Sequence, residues 1–164
     1  AMPGARTRII GTQLFKFNIQ GFLHWGFNFY NATDSCYPID PYQDTCGEYL
    51  GPGGDPFSVY PGLNGVPYRS LHGIQFTEAV TDLRAFRLCE ALTGRDKALG
   101  LIEAQCGAPL TFRSFPHSQD YLLNLREAVN QAIENALQDP ANTGKIPQGL
   151  TFPGKCVYYT TRTK

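Results

Sequence analysis

The sequence predicts an α/β fold built from βα units, on three observations. Its periodic segments run in the order helix, strand, long loop, strand, helix, with extra helices behind them. The loop between the strands exceeds twenty residues, a length that compact domains reserve for functional or lid-like segments. Only two convincing strands precede the C-terminal tail, and two parallel strands cannot close a sheet or cover both its faces. The chain therefore reads as part of a barrel, with open edges that another part of a protein must pair.

Taken in order, Ile9, Ile10, Leu14 and Phe17 recur at roughly helical spacing over residues 6–19, and Gly21 stands where that helix should stop. A strand at 21–26 follows. It opens the run Gly-Phe-Leu-His-Trp-Gly-Phe-Asn-Phe-Tyr from Gly21 to Tyr30, which holds the only Trp, one of the three His and three of the eleven Phe. Phe22, Leu23 and Phe27 are expected in the core. Trp25, Asn28 and Tyr30 lie where the apolar run turns polar, and binding sites of α/β proteins form at such strand ends. A sugar suits them: its CH face lies on the indole while its hydroxyls bond to amide and phenol groups.

Residues 31–54 show no period, and Phe57 to Tyr60 form a second short strand closed by Pro61-Gly62. Ser70 caps a long helix through about residue 92, with Ile74, Phe76, Ala79, Val80, Leu83, Phe86 and Leu92 as its apolar stripe and Gly94 as its stop. Asp96 caps a shorter helix to about Cys106. Ser118 or Asp120 caps another to about Leu137, with Tyr121, Leu122, Leu125, Val129, Ala132, Ile133 and Ala136 in register before Pro140 terminates it. Residues 1–138 thus form the folded unit, and 139–164 a Pro/Gly-rich tail that is irregular or, at Val157 to Thr160, an edge strand.

Composition narrows the function classes. With 42% apolar residues the chain of 164 is one ordinary domain. Lys plus Arg and Asp plus Glu number 14 each, without a basic run, so no nucleic-acid partner is expected. No window approaches the ~18 consecutive apolar residues of a membrane span, nor is there a signal-type apolar core, so a cytoplasmic location is the default expectation. Charged residues are only 17%, against 17 Gly and 12 Pro, which fits an uncharged surface for neutral ligands or a missing neighbour. The five cysteines lack a CxxC spacing and read as reduced structural thiols; Cys36 and Cys46, flanking one loop, pair only in an oxidising compartment. The acids Asp34, Asp40, Asp44 and Glu48 lack the spacing of a calcium loop, so neither metal nor cofactor is expected. Together with Tyr37, Tyr42 and Tyr49 they belong to a loop that covers substrate.

Other polar residues carry two readings each. Asp55 either binds a sugar hydroxyl or caps the turn before the second strand, and Tyr60 at that strand's far end faces the pocket. His24, one before Trp25, points to the opposite face by strand alternation, toward the surrounding helices, as a hydrogen-bonded structural residue. Glu78 and Asp82 share a helix face, where a catalytic pair is less expected than ion pairs to Arg69, Arg84 or Arg87. His117 is expected at the surface.

The segments "GFLHWGFNFYN", "DPY", "GGDPFSVYPG" and "SLHGIQFTEAVTDLRAFRLCEAL", in this order, closely resemble the C-terminal part of the catalytic domain of glycoside hydrolase family 123, over about residues 6–137. The resemblance implies a (β/α)8 TIM-type barrel with its site at the C-terminal strand ends. Residues 21–26 would be its seventh strand and 56–60 its eighth, so the chain would hold about the last two βα units plus extra C-terminal helices. It further implies a retaining β-N-acetylgalactosaminidase in which the substrate's 2-acetamido group is the nucleophile. An adjacent Asp-Glu pair assists, Asp polarising the acetamide and Glu serving as general acid and base, outside the usual two-carboxylate scheme. Trp25, Asn28 and Tyr30 match the family's "W-G-x-N-x-[WY]" segment that lines the sugar pocket. This sequence departs from the family in having no Asp-Glu or Glu-Asp dipeptide, and in carrying His72 and Thr77 where relatives tend to have Arg. The expectation is a portion of a glycoside hydrolase that supplies an aromatic sugar-binding wall, is inactive alone, and pairs with the N-terminal part of the barrel or with its own copy. Two rivals are a self-associating carbohydrate-binding half-barrel and a purely structural helical domain.

Overall fold

The computed structural model describes residues 4–46, 51 and 53–145. Helices α1 (Ala5–Arg8) and α2 (Ile10–Lys16) join through Ile9, whose own backbone is helical. The α2 helix ends before Gly21, because Asn18 turns left-handed at a φ of 52°, a conformation that Asn tolerates better than most residues. Strands β1 (Val59–Tyr60) and β2 (Tyr68–Arg69) form an antiparallel pair. Helix α3 (Leu71–Thr93) starts as predicted: the Ser70 hydroxyl accepts from Gly73 N–H at 2.9 Å and donates to the Ser58 carbonyl at 2.7 Å. Gly94, at a φ of 91°, separates it from α4 (Arg95–Cys106), so Asp96 is not the cap but lies in the first turn, where its charge opposes the helix dipole favourably. Helix α5 (Gln119–Leu137) is capped by Ser118, which accepts from Asp120 N–H at 3.1 Å. A 3₁₀ turn over Pro140–Lys145 follows, so the tail begins as helical turn, while Cys156 and the Val157 to Thr160 patch lie outside the described residues.

The core gathers on α3, which packs against α1, α2, α4 and α5. From Ala79 onward its buried positions are Ala79, Asp82, Ala85, Phe86, Cys89 and Leu92, a helical stripe. Ile74 and Val80, expected in that stripe, are exposed. Of the apolar residues predicted for the first helix, Ile9 is buried and Ile10 and Leu14 partly so. Gly11, Thr12, Gln13 and Phe15 are buried, whereas Phe17 is exposed. Close approach decides this: a Cβ on Gly11 would lie 1.9 Å from the Ala79 carbonyl oxygen, so α2 crosses α3 on its small residues. Phe15 then stacks on Phe86, ring centroids 5.0 Å apart, with the Arg95 guanidinium over its ring at 5.0 Å. The α5 stripe is as predicted, with Tyr121, Leu122, Leu125 and Val129 buried.

Asp82 is a carboxylate inside that apolar stripe. Arg8 Nε donates to its Oδ2 at 2.7 Å, and Arg126 Nη1 to its Oδ1 at 2.8 Å, so one buried acid ties α1, α3 and α5 together. Glu78 stands 3.9 Å from Arg8. The hydrogen bond to Asp82 raises the Arg8 guanidinium above its ordinary pKa, against the effect of burial. The structural reading of these acids is right and the partners were wrong: Arg87 pairs instead with Glu90, at 3.3 Å.

The aromatic run departs furthest from expectation. Residues 21–26 form no ladder among the described residues; a single antiparallel bridge joins Asn28 to Phe57. Phe22, Leu23 and Phe27, expected in the core, are exposed, Leu23 to 86% and Phe27 to 61%. A strand needs a neighbouring strand to satisfy its backbone and a layer to cover its face, and the described residues bring neither to this segment.

Asp82→Ala takes from the partly buried Arg8 and Arg126 the carboxylate they share, leaving Arg8 only Glu78 at 3.9 Å, and is expected to cost about 3 kcal/mol, read as a lower denaturation midpoint at unchanged slope. Tyr121 makes the opposite test. Its hydroxyl is buried without a hydrogen-bond partner among the described residues, and burial raises its pKa. Tyr121→Phe is expected to leave the midpoint unchanged or raise it, because it removes an unsatisfied group.

Candidate functional site

The aromatic run and the turn before β1 are held together through backbone. Ser58 N–H donates to the Phe27 carbonyl at 2.7 Å and Phe29 N–H to that of Pro56 at 3.3 Å. Gly26 permits the approach, since a Cβ there would lie 2.8 Å from Pro56 Cα. Gly73, in the first turn of α3, approaches still more closely, a Cβ there lying 2.3 Å from the Ser58 carbonyl oxygen, which docks the helix start on the same turn.

This docking brings Trp25 to Asp55. The indole Nε1–H donates to Asp55 Oδ2 at 2.9 Å, and His24 Nε2 lies 3.6 Å from Oδ1. Behind them His24 packs edge-on against His72 of α3, ring centroids 5.3 Å apart, and His72 lies 4.7 Å from Phe76. Trp25 also sits 5.7 Å from the Phe29 ring. Burial and the charge of His24 lower the pKa of His72, opposed by Asp55 and by a backbone hydrogen bond at Gly54.

The remaining predicted residues form a neighbouring aromatic group. Tyr30 uses its hydroxyl to donate to the Val59 carbonyl at 2.7 Å, with its ring 5.8 Å from Phe57. Burial raises the Tyr30 pKa. Tyr60 lies 5.6 Å from Phe57 and 5.3 Å from Tyr42, whose hydroxyl donates to the Pro61 carbonyl at 2.8 Å. The 31–54 loop thus folds back over β1 through Tyr42. Its Glu48 and Tyr49 lie outside the described residues. Asn28 is exposed beside the bridge to Phe57.

An open cleft of about 1000 Å³ runs past Asp55, Tyr60, His24, His72 and Arg69 to Arg6 and His117 on its far side. All three histidines of the chain line it. Asp55 is its only carboxylate among the described residues. No cluster of metal-ligating side chains occurs among them, and no helix there is long and apolar enough to cross a membrane.

Residues 1–89 match the family described as "Glycoside hydrolase 123, catalytic domain". The chain belongs to that glycoside hydrolase family. The matched segment holds every residue of the Trp25–Asp55 group and the aromatic group beside it; it ends within α3, short of the expected limit near residue 137, and leaves out α4 and α5. No curated protein matches the chain.

Two members of the site escaped the sequence reading. His24 packs against Phe76 of α3 but also reaches Asp55 alongside Trp25, against the strand alternation expected, because the segment is not a strand. His72 was noted only as a departure from the family pattern. A local signal exists only for His24, which lies inside the aromatic run; no local pattern marks His72.

The lowered pKa of His72 fixes the sign of one pH effect. Between that pKa and the ordinary value of ~6.5 the unfolded chain binds more protons than the folded one, so stability falls as pH drops through this interval. His72→Gln is expected to flatten the decline in melting temperature on acidification from about pH 7 to about pH 5.

Proposed function

We propose that this chain forms the sugar-binding wall of a glycoside hydrolase acting on N-acetylhexosaminides, of the β-N-acetylgalactosaminide type. The observation that carries the reading is the Trp25–Asp55 pair, an exposed indole whose N–H is fixed on a carboxylate at 2.9 Å, inside the segment that matches the family. An indole anchored at its edge keeps both the ring orientation and the carboxylate's remaining lone pairs for a ligand, as a pyranose needs. Asn28 adds an exposed amide at the bridge to Phe57 and Tyr60 a phenol lining the cleft, while Tyr30 braces β1 through the Val59 carbonyl. The fold proposed for the whole is a (β/α)8 barrel, with this chain as its last two units; the exposed faces of Leu23 and Phe27 are then covered by the rest of the barrel. The acid pair comes from that same part, since no adjacent Asp and Glu occur in this sequence.

The same exposed apolar residues support a second reading, a non-catalytic half-barrel that binds carbohydrate as a self-associated pair. Sedimentation equilibrium separates the two, because the second reading requires a stable dimer and the first does not.

Two outcomes are expected of the isolated chain. It does not turn over p-nitrophenyl N-acetyl-β-galactosaminide, and measurable steady turnover refutes its dependence on an outside acid pair. Free N-acetylgalactosamine shifts the emission of Trp25, the chain's only tryptophan, and Asn28→Ala weakens that binding by about tenfold, the loss of one well-made hydrogen bond.

A further inference from the structure

We propose that the cleft lined by Asp55 and Arg69 takes a glycan that carries a negative charge, with Arg69 binding its sulfate ester or carboxylate. The inference rests on the sugar-binding reading of Trp25 and Asp55, and adds the class of substrate. Across the whole chain basic and acidic side chains balance at 14 each. The cleft does not share that balance: Arg6, Arg8 and Arg69 line it, against the single carboxylate of Asp55 among the described residues. Charge of one sign gathered on a concave wall focuses the field and concentrates a ligand of the opposite sign.

The three arginines are not equivalent. Arg8 is spent in the helical core, on Asp82 at 2.7 and 3.1 Å, and cannot turn to a ligand without breaking that pair. Arg69 is exposed, and among the described residues its guanidinium takes part in no hydrogen bond or ion pair. Backbone holds it beside the site. Arg69 pairs with Val59 across β1 and β2, and Ser70 N–H donates to the Ser58 carbonyl at 3.3 Å, which roots the arginine against the segment that follows Asp55. Asp55 does not quench it, because that carboxylate accepts from the Trp25 indole at 2.9 Å and lies beyond ion-pair distance of Arg69. A guanidinium offers a planar fork of N–H donors that matches two oxygens of a sulfate or carboxylate. An anion alone needs only the arginine. The indole held by Asp55 adds a face for a sugar ring, and the cleft of about 1000 Å³ has room for that ring and a charged substituent or neighbour, so the ligand that uses both is an anionic glycan. Its oxyanion has two sources: a sulfate ester on the N-acetylhexosamine, or the carboxylate of an adjoining uronic acid.

The test uses the full chain at about 0.15 M salt, where exposed charges more than about 8 Å apart are screened and a direct contact dominates. Calorimetry gives the Kd of N-acetylgalactosamine, of its 4-sulfate and 6-sulfate, and of its disaccharides with glucuronic acid and with glucose, while Trp25 emission is followed in parallel. At least one charged sugar is expected to bind about tenfold more tightly than its neutral counterpart, the strength of one charge-assisted contact, and which one does so names the source of the oxyanion. Arg69→Gln is expected to remove the preference and keep the neutral sugar's affinity within about twofold. Arg69→Lys keeps part of the preference, and Arg84→Gln, which removes an exposed charge outside the cleft, keeps all of it. A preference below about twofold for every charged sugar, its survival in Arg69→Gln, or inorganic sulfate binding as tightly as the sulfated sugars overturns the proposal. The two readings fail separately. If N-acetylgalactosamine shifts Trp25 emission and no charged sugar binds better, the sugar site holds and the anionic substrate is refuted. If charged sugars bind through Arg69 without moving the emission, the anion contact holds and the Trp25 wall is refuted.

Discussion

Among the described residues, one buried carboxylate ties the first helix, the long third helix and the last α-helix together. Asp82 sits on the inner face of α3 and takes Arg8 from the first helix and Arg126 from the last, at 2.7 and 2.8 Å. Placing an acid in an apolar stripe is costly unless its charge is met and its lone pairs are used. Here both conditions are met by residues 74 and 44 positions away in sequence, so the ion pairs fix which helices may pack and at what register. The Gly11–Ala79 contact works with it, holding α2 against the same stretch of α3 so closely that no side chain fits between.

That scaffold ends where the site begins. The first two turns of α3 carry His72 and Phe76, and its cap, Ser70, is bonded to Ser58, three residues after Asp55. Helix α3 thus joins the packed core at one end to the Trp25–Asp55 group at the other. The aromatic run is laid over this end by a few backbone hydrogen bonds and a glycine contact, with its apolar side chains outward. The division has a physical reason: a segment that its own helices do not cover keeps its apolar side chains exposed, as Phe22, Leu23 and Phe27 are.

The helices were legible because their signals are local. Ser70, Gly94 and Ser118 mark ends through hydrogen bonds and a left-handed φ that depend on adjacent residues, and the α5 stripe follows from spacing alone. Phe17, Ile74 and Val80 were misjudged because burial depends on what approaches, and a small-residue crossing at Gly11 leaves them outside. Strand residues were misjudged for a related reason: the alternation argument presumes a ladder, and without one His24 and Trp25 both reach Asp55.

The sequence by itself determined the starts of α3 and α5 at Ser70 and Ser118, the break at Gly94 and the family, since each of these is written in short-range order or in an ordered set of motifs. Tertiary structure decided the partners. Which arginines neutralise Asp82, which histidine stands against Asp55, and that Tyr30 spends its hydroxyl on Val59 are outcomes of chain segments meeting across long separations. Such meetings are set by complementary packing of whole surfaces, and no local pattern encodes them.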